Sequence, residues 1–146
     1  MEKARLTTDT EIISAALAAT KLSYAPYSRF NVGAAVRAAS GKVYVGANIE
    51  NASYGATNCA ERSAIFAAVM AGERRIVALA VAGGANGTVT DYCAPCGICR
   101  QVMREFADPK ELVIYVAKSV TDFKTFALEE LLPESFGPAN VLPAAE

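Results

Sequence analysis

The chain has 146 residues, of which 53% are hydrophobic and 20% charged, and its formal net charge is −1. This length fits one domain over residues 1–146, and this balance of residues excludes a disordered chain. Acidic and basic residues are mixed along the sequence, so the chain lacks the basic stripe that binds a nucleic-acid polymer.

No apolar run approaches the roughly 18 residues of a membrane span, and the first five residues lack the apolar stretch of a signal peptide. We therefore expect a cytoplasmic protein with no membrane and no nucleic-acid polymer as partner. In that compartment the four cysteines favour metal binding or catalysis over disulfides. The sequence has no histidine, which excludes an imidazole base and leaves sulfur and oxygen to hold any metal.

The periodicity of apolar residues predicts elements in a clear order. The first half is expected to contain a helix at 8–22, a hairpin with strands starting at Phe30 and at Val43, a loop at 48–55, and a helix from Cys59 to near Met70. The second half is expected to contain a strand at 76–81, a flexible loop at 83–91, a helix from Cys96 through Phe106, a strand at 112–116 and a helix at 125–132. This order indicates a mixed α/β layer structure, with a C-terminal tail at 138–146 that frays.

Three cysteines have the spacing of a metal site. Cys96 and Cys99 form a Cys-x-x-Cys pair that places both sulfurs on one turn, and Cys59 supplies a third ligand. Three protein ligands leave the fourth tetrahedral position of zinc open for water, which is typical of a catalytic site. Glu61 stands two residues after Cys59, where a carboxylate can serve as general acid and base without binding the metal.

Other interpretations of the cysteines are open at this point. A Cys-x-x-Cys pair by itself is equally typical of a structural zinc knuckle or a redox pair. Cys93 could also complete a closed four-cysteine site. We favour a free thiol near the pocket, because Cys93 and Cys96 flank a proline and precede the helix.

Five stretches resemble the small, three-cysteine cytidine deaminases. The two at the metal site are Cys59-Ala60-Glu61-Arg62-Ser63-Ala64 and Pro95-Cys96-Gly97-Ile98-Cys99-Arg100-Gln101-Val102. Three more resemble the family in the same order: the stretches 24–35, 48–54 and 131–138. The resemblance therefore reaches from the first helix to about Pro138. It implies a three-layer α/β/α fold with a central mixed sheet of about five strands.

The resemblance also implies the activity and the substrate site. The expected reaction is hydrolytic deamination of cytidine and 2′-deoxycytidine in pyrimidine salvage, with one Zn²⁺ per subunit and Glu61 moving the protons. Asn48 and Glu50 are expected to bind the ribose hydroxyls, and Phe30 to pack against the pyrimidine. The remaining substrate contacts that the resemblance implies are Ala52, Tyr54, Ala60 and Phe136.

Two further positions bear on the expected chemistry. Three thiolates give the zinc site a net charge near −1, which weakens its effect on bound water, and the resemblance implies that Arg62 offsets this charge. A serine is usual in the family where this chain has Ala94. Because the contact there is made by the backbone, we expect the alanine to be tolerated.

The assembly that the resemblance implies is a homotetramer whose pockets are completed by neighbouring subunits through Ala52, Tyr54 and Phe136. Three other functions are considered: deamination of a modified nucleoside, editing of RNA or single-stranded DNA, and a purely structural zinc module. The absence of a basic groove disfavours the editor. Phe30, Asn48 and Glu50 favour an ordinary nucleoside.

Overall fold

A five-stranded mixed sheet forms the centre of the structure, a computed structural model that describes residues 7–143. Its strands are β1 Phe30–Ala38, β2 Val43–Ala47, β3 Ile76–Ala85, β4 Val113–Ala117 and β5 Phe123–Ala127. The spatial order is β2-β1-β3-β4-β5. β3 and β4 are parallel, whereas the other neighbouring pairs are antiparallel. The predicted α/β class with about five strands in a mixed sheet is confirmed.

Helices cover both faces of this sheet. Within residues 7–143 the α-helices are α1 Thr10–Ala19, α2 Ala60–Met70, α3 Gly97–Phe106 and α4 Leu128–Leu131. Alternate residues of each strand point to opposite faces, so Ala35 packs with α1 while Val36 packs with α2 and α3. The result is the expected arrangement of three layers, with one apolar core on each side of the sheet.

Helix α2, which follows Cys59, lies unusually close to strand β2. A Cβ atom at Gly46 would lie 2.3 Å from the backbone nitrogen of Ala64 and 2.7 Å from the carbonyl oxygen of Ala60. Only a glycine permits this approach of two backbones. Gly46 therefore sets the position of the helix that contains Glu61.

Two sequence predictions in the second half of the chain were wrong. The loop expected at 83–91 begins too early, because Gly83 and Gly84 continue β3 and pair with Val32 and Asn31 of β1. Pairing with a neighbouring strand overrides the weak strand preference of glycine. The helix expected at 125–132 is limited to Leu128–Leu131. The residues before it form β5, which pairs with the edge of β4.

The C-terminal prediction lies partly outside the described residues, since it extends over 138–146. Within the described part, Pro138–Asn140 forms a 3₁₀ helix. None of the helices found in residues 7–143 has the length and apolar character needed to cross a bilayer.

Candidate metal centre and active site

The three predicted ligand thiols meet where two helices begin. Cys59 is the N-cap residue of α2, Cys96 is the N-cap residue of α3, and Cys99 lies in the first turn of α3. Their sulfur atoms all lie within 4.8 Å of one another. The partial positive charge of both helix N-termini favours thiolates at this place.

The spacing of the sulfurs fits a tetrahedral ion. The Sγ atoms of Cys59 and Cys96 are 3.8 Å apart, and those of Cys96 and Cys99 are 3.6 Å apart. A tetrahedral zinc with Zn–S bonds of about 2.3 Å requires sulfurs about 3.8 Å apart. The donor set therefore fits zinc. Cys93 does not join the cluster of metal-ligating groups found in residues 7–143, so the fourth position is not filled by its sulfur.

A cation lies next to the thiols, as the sequence predicts. Nη2 of Arg62 donates a hydrogen bond of 3.2 Å to Sγ of Cys59. Hydrogen bonds from the Cys99 thiol and from Arg62 lower the pKa of the Cys59 thiol. Nε of the same guanidinium is buried and has no hydrogen-bond partner among the described residues. The guanidinium thus points its Nη2 group at the thiol sulfur of Cys59.

Glu61 is the buried acid of the site. Its side chain lies in the first turn of α2, and the residue is 4% exposed. Burial raises the pKa of Glu61 to about 7, and the negative charge at Cys59 acts in the same direction. A carboxyl group with a pKa near neutrality can both accept and donate a proton, which suits general acid–base catalysis.

Cys93 lies near the site but is of a different kind. Its thiol is half-buried, and burial raises its pKa to about 11, with smaller contributions from the charges of Glu61 and Cys59. At this pKa the sulfur stays a neutral thiol at physiological pH. The structure therefore agrees with a free thiol close to the pocket.

The two predicted ribose ligands are held by the chain between α1 and β1. Glu50 accepts hydrogen bonds from the backbone N–H groups of Tyr27 and Ser28 at 2.9 and 3.1 Å, and from the Ser28 hydroxyl. These bonds, opposed by partial burial, lower the pKa of Glu50, so its carboxylate stays ionised. Asn48 is buried. Its side-chain oxygen accepts a hydrogen bond from the backbone N–H of Val32, and its side-chain nitrogen donates one to the carbonyl oxygen of Phe30.

The other predicted substrate residues are divided between the interior and the surface. Phe30 begins β1 and is 40% exposed, and Ala60 is fully buried next to Glu61. Ala52, Tyr54 and Phe136 are exposed, the last two at 74% and 62%. A cavity of about 270 Å³ contains Glu50 and Tyr54 in its wall. The larger hollow of about 880 Å³, near Arg74 and Leu142, contains none of the predicted site residues.

Sequence reasoning did not identify Ser23 and Asn31 as site residues. Asn31 bonds to Ser23, and Ser23 bonds to Asn48, which is 25 residues further along the chain. A single sequence contains no signal for a hydrogen bond between side chains so far apart. Ser28 lies in the stretch 24–35 that resembles the family. Its contact with Glu50 could be suspected from that resemblance but not from the spacing of the two residues in the sequence.

The site combines three thiols at two helix N-termini with a buried carboxyl group, on a mixed α/β/α layer fold. This combination is typical of zinc-dependent hydrolytic enzymes. The comparisons with known proteins give the particular family. Residues 6–116 match the family model described as the cytidine and deoxycytidylate deaminase zinc-binding region. The chain belongs to this family, and the predicted zinc cofactor is thereby confirmed.

Individual relatives agree with the family. A cytidine deaminase of Halalkalibacterium halodurans is 46% identical over 125 residues, which cover 86% of this chain and 91% of the relative. One of Sporosarcina psychrophila is 41% identical over 136 residues, covering 93% of this chain and 96% of the relative. The crystal structure of cytidine deaminase from Burkholderia pseudomallei superposes with a TM-score of 0.79 at 45% identity, covering 89% of this chain and all of that one.

Proposed function

We propose that the chain hydrolyses cytidine and 2′-deoxycytidine to uridine and 2′-deoxyuridine with release of ammonia, as a cytosolic enzyme of pyrimidine salvage. The observation that carries this proposal is the buried Glu61 carboxyl group in the first turn of α2, beside three thiols at metal-binding distance from one another. A purely structural zinc module has no use for a buried titratable acid. The names of the relatives supply the substrate.

The proposed chemistry divides into what the metal supplies and what the chain does. Cys59, Cys96 and Cys99 would hold one zinc ion, which makes a water molecule more acidic. Glu61 takes up a proton as water adds to C4 of the base. It delivers this proton to N3 of the ring, then takes the second proton from the hydroxyl group now on C4 and passes it to the departing amine, so that the C4–N bond breaks, ammonia leaves and the base becomes uracil.

Arg62 keeps this site effective despite its sulfur ligands. Three thiolates would otherwise surround the ion with excess negative charge, and its ability to acidify water would fall. The guanidinium donates to Cys59 from within hydrogen-bond distance. We assign it the role of offsetting the thiolate charge.

The nucleoside is bound by residues at the ends of β1 and β2. Asn48 and Glu50 offer an amide donor and a carboxylate acceptor, which together suit a sugar hydroxyl. Phe30 supplies a partly exposed aromatic face for the pyrimidine, and Ala60, the buried first residue of α2, is assigned to the substrate contacts next to Glu61. The backbone at Ala94 is proposed to face the amino group.

We assign the chain to a homotetramer with shared pockets. Ala52, Tyr54 and Phe136 are exposed in the single chain, as is expected of residues that complete a pocket in a neighbouring subunit. The outer face of α2 supports an interface as well, because Phe66 is 43% and Met70 is 87% exposed. Large apolar side chains on one helix face are typical of subunit contacts.

The proposed activity is tested with purified, zinc-loaded protein and an ultraviolet assay that follows cytidine to uridine. Cytidine, 2′-deoxycytidine and a 5-substituted analogue are compared, each with and without a chelator. We expect turnover of the first two and its loss when zinc is removed. Turnover of none of the three nucleosides would refute the proposal.

A further inference from the structure

The side-chain amide of Asn48 has a fixed orientation. Its Oδ1 accepts a hydrogen bond of 2.9 Å from the backbone N–H of Val32, and its Nδ2 donates one of 2.8 Å to the carbonyl oxygen of Phe30. A backbone N–H can only donate and a carbonyl can only accept. These two bonds therefore assign the oxygen and the nitrogen of the amide without ambiguity.

Ser23 adds a second hydrogen bond to the same oxygen. Its hydroxyl donates to Oδ1 of Asn48 at 2.5 Å, and its own oxygen accepts from Nδ2 of Asn31 at 3.1 Å. Because an amide nitrogen can only donate, Asn31 leaves the hydroxyl proton of Ser23 free to point toward Asn48. Asn31, Ser23 and Asn48 thus form a relay in which every hydrogen bond runs in one direction.

The relay determines what Asn48 can offer to a ligand. Both lone pairs of Oδ1 are used, by Val32 and by Ser23. One N–H of Nδ2 donates to the carbonyl oxygen of Phe30, and the other has no hydrogen-bond partner within residues 7–143. Asn48 can therefore only donate. An amide whose oxygen accepts two hydrogen bonds is polarised, which strengthens its remaining N–H as a donor.

We propose that Ser23 and Asn31 are positioning residues that make Asn48 a fixed hydrogen-bond donor to a hydroxyl oxygen of the nucleoside sugar. This inference rests on the proposed function, because it takes Asn48 as a ribose ligand. Ser23 and Asn31 act through Asn48 and do not touch the reacting base. Glu50, held by Tyr27 and Ser28, supplies the complementary acceptor.

The first test replaces each member of the relay and measures kcat and KM for cytidine. Ser23→Ala removes the donor to Oδ1, and we expect KM to rise about 3- to 10-fold, the effect of one hydrogen bond, with kcat within about twofold. Asn31→Asp is nearly isosteric but reverses the relay, because a carboxylate accepts the Ser23 proton. We expect it to raise KM at least as much. Asn86→Asp adds the same charge at an exposed position and serves as the matched control.

The second test separates positioning from a general loss of structure. 2′,3′-Dideoxycytidine lacks the hydroxyl groups that Asn48 is proposed to bind, so Ser23→Ala should leave kcat/KM for this analogue within about twofold of the wild type. In an Asn48→Ala background, Ser23→Ala should have no further effect on cytidine. A general disturbance of the fold would instead lower kcat/KM for both nucleosides equally.

The outcomes distinguish this inference from the function on which it depends. If the wild type deaminates cytidine and Ser23→Ala and Asn31→Asp leave KM unchanged, the relay has no positioning role and the inference is overturned. Equal losses with cytidine and the dideoxy analogue also overturn it. If the wild type does not deaminate cytidine, the proposed function fails first, and the inference fails with it.

Discussion

Arg62 donates its hydrogen bond to Cys59 from three residues further along the same helix, at 3.2 Å. Positions i and i+3 lie on one face of a helix, so α2 itself brings the cation to the ligand. Cys59 is also the N-cap of α2. The sulfur is thus stabilised by the helix N-terminus and by the guanidinium together.

Replacing Arg62 by glutamine should weaken the metal site without unfolding the protein. Residues that support metal ligands are typically worth about 10- to 100-fold in metal affinity or activity, and we expect a loss in that range for kcat or for zinc affinity. Competition with a chelator and steady-state kinetics measure the two quantities. Arg74→Gln, near the other end of α2, is the matched control and should change neither. If Arg62→Gln had the kcat and the zinc affinity of the wild type, Arg62 would have no role at the metal site.

Shared pockets predict that two inactive variants restore each other. Phe136→Ala should impair substrate binding, and Glu61→Gln should abolish proton transfer. If Phe136 serves a neighbouring subunit, a mixed assembly contains pockets with both wild-type residues. We expect activity to reappear when the two variants are unfolded, mixed and refolded together. Absence of complementation, with mixed oligomers shown by mass spectrometry, would argue that each pocket is built from one chain.

The ion pair that begins α1 should stabilise the fold in a pH-dependent manner. Asp9 caps α1 through Ile12 and bonds to Arg37 of β1 at 2.6 Å. Although burial opposes the shift, the bonds from Arg37 and from the backbone of Ile12 lower the pKa of Asp9 below its ordinary 3.8. This stabilisation is therefore present above pH 3.8 and is lost as the pH falls through the lower pKa of the folded state.

The substitution Asp9→Asn isolates this effect, because asparagine retains the cap. We expect a loss of about 1 kcal/mol in the free energy of unfolding at pH 7. The difference from the wild type should become smaller in an acidic buffer well below pH 3.8, as Asp9 becomes protonated in the folded state. Urea unfolding at both pH values, with a chelator present throughout, provides the measurement. A difference that is the same at both pH values would show that the charge of Asp9 contributes nothing.

Gly46→Ala tests the close approach of α2 to β2. Its Cβ would lie 2.3 Å from the backbone of Ala64, so the helix must move, at a cost of about 1–3 kcal/mol or more. Because the helix contains Glu61 and follows Cys59, zinc affinity and activity should fall together with stability. Val45→Ala, at the adjacent and 43% exposed position, should have a much smaller effect. A fully active and stable Gly46→Ala protein would contradict this packing.

The metal ligands were predictable because their chemistry is local. Cys96 and Cys99 lie on one turn, and Cys59 and Glu61 begin one helix, so short spacings already indicate the site. The C-terminal end of β3 and the whole of β5 were not predictable by pattern, because their stability comes from pairing with Val32 of β1 and with β4. The same holds for the relay from Asn31 to Asn48, which exists only after folding.

The most direct test is Glu61→Gln, examined for zinc content and turnover in the same preparation. The amide has nearly the same shape but cannot take up a proton, and Glu61 is not among the three thiol ligands. We expect one zinc per subunit as in the wild type and a loss of cytidine turnover of at least about 10²- to 10⁴-fold. A variant that keeps its zinc and deaminates cytidine at the wild-type rate would contradict the role of Glu61 as the proton carrier.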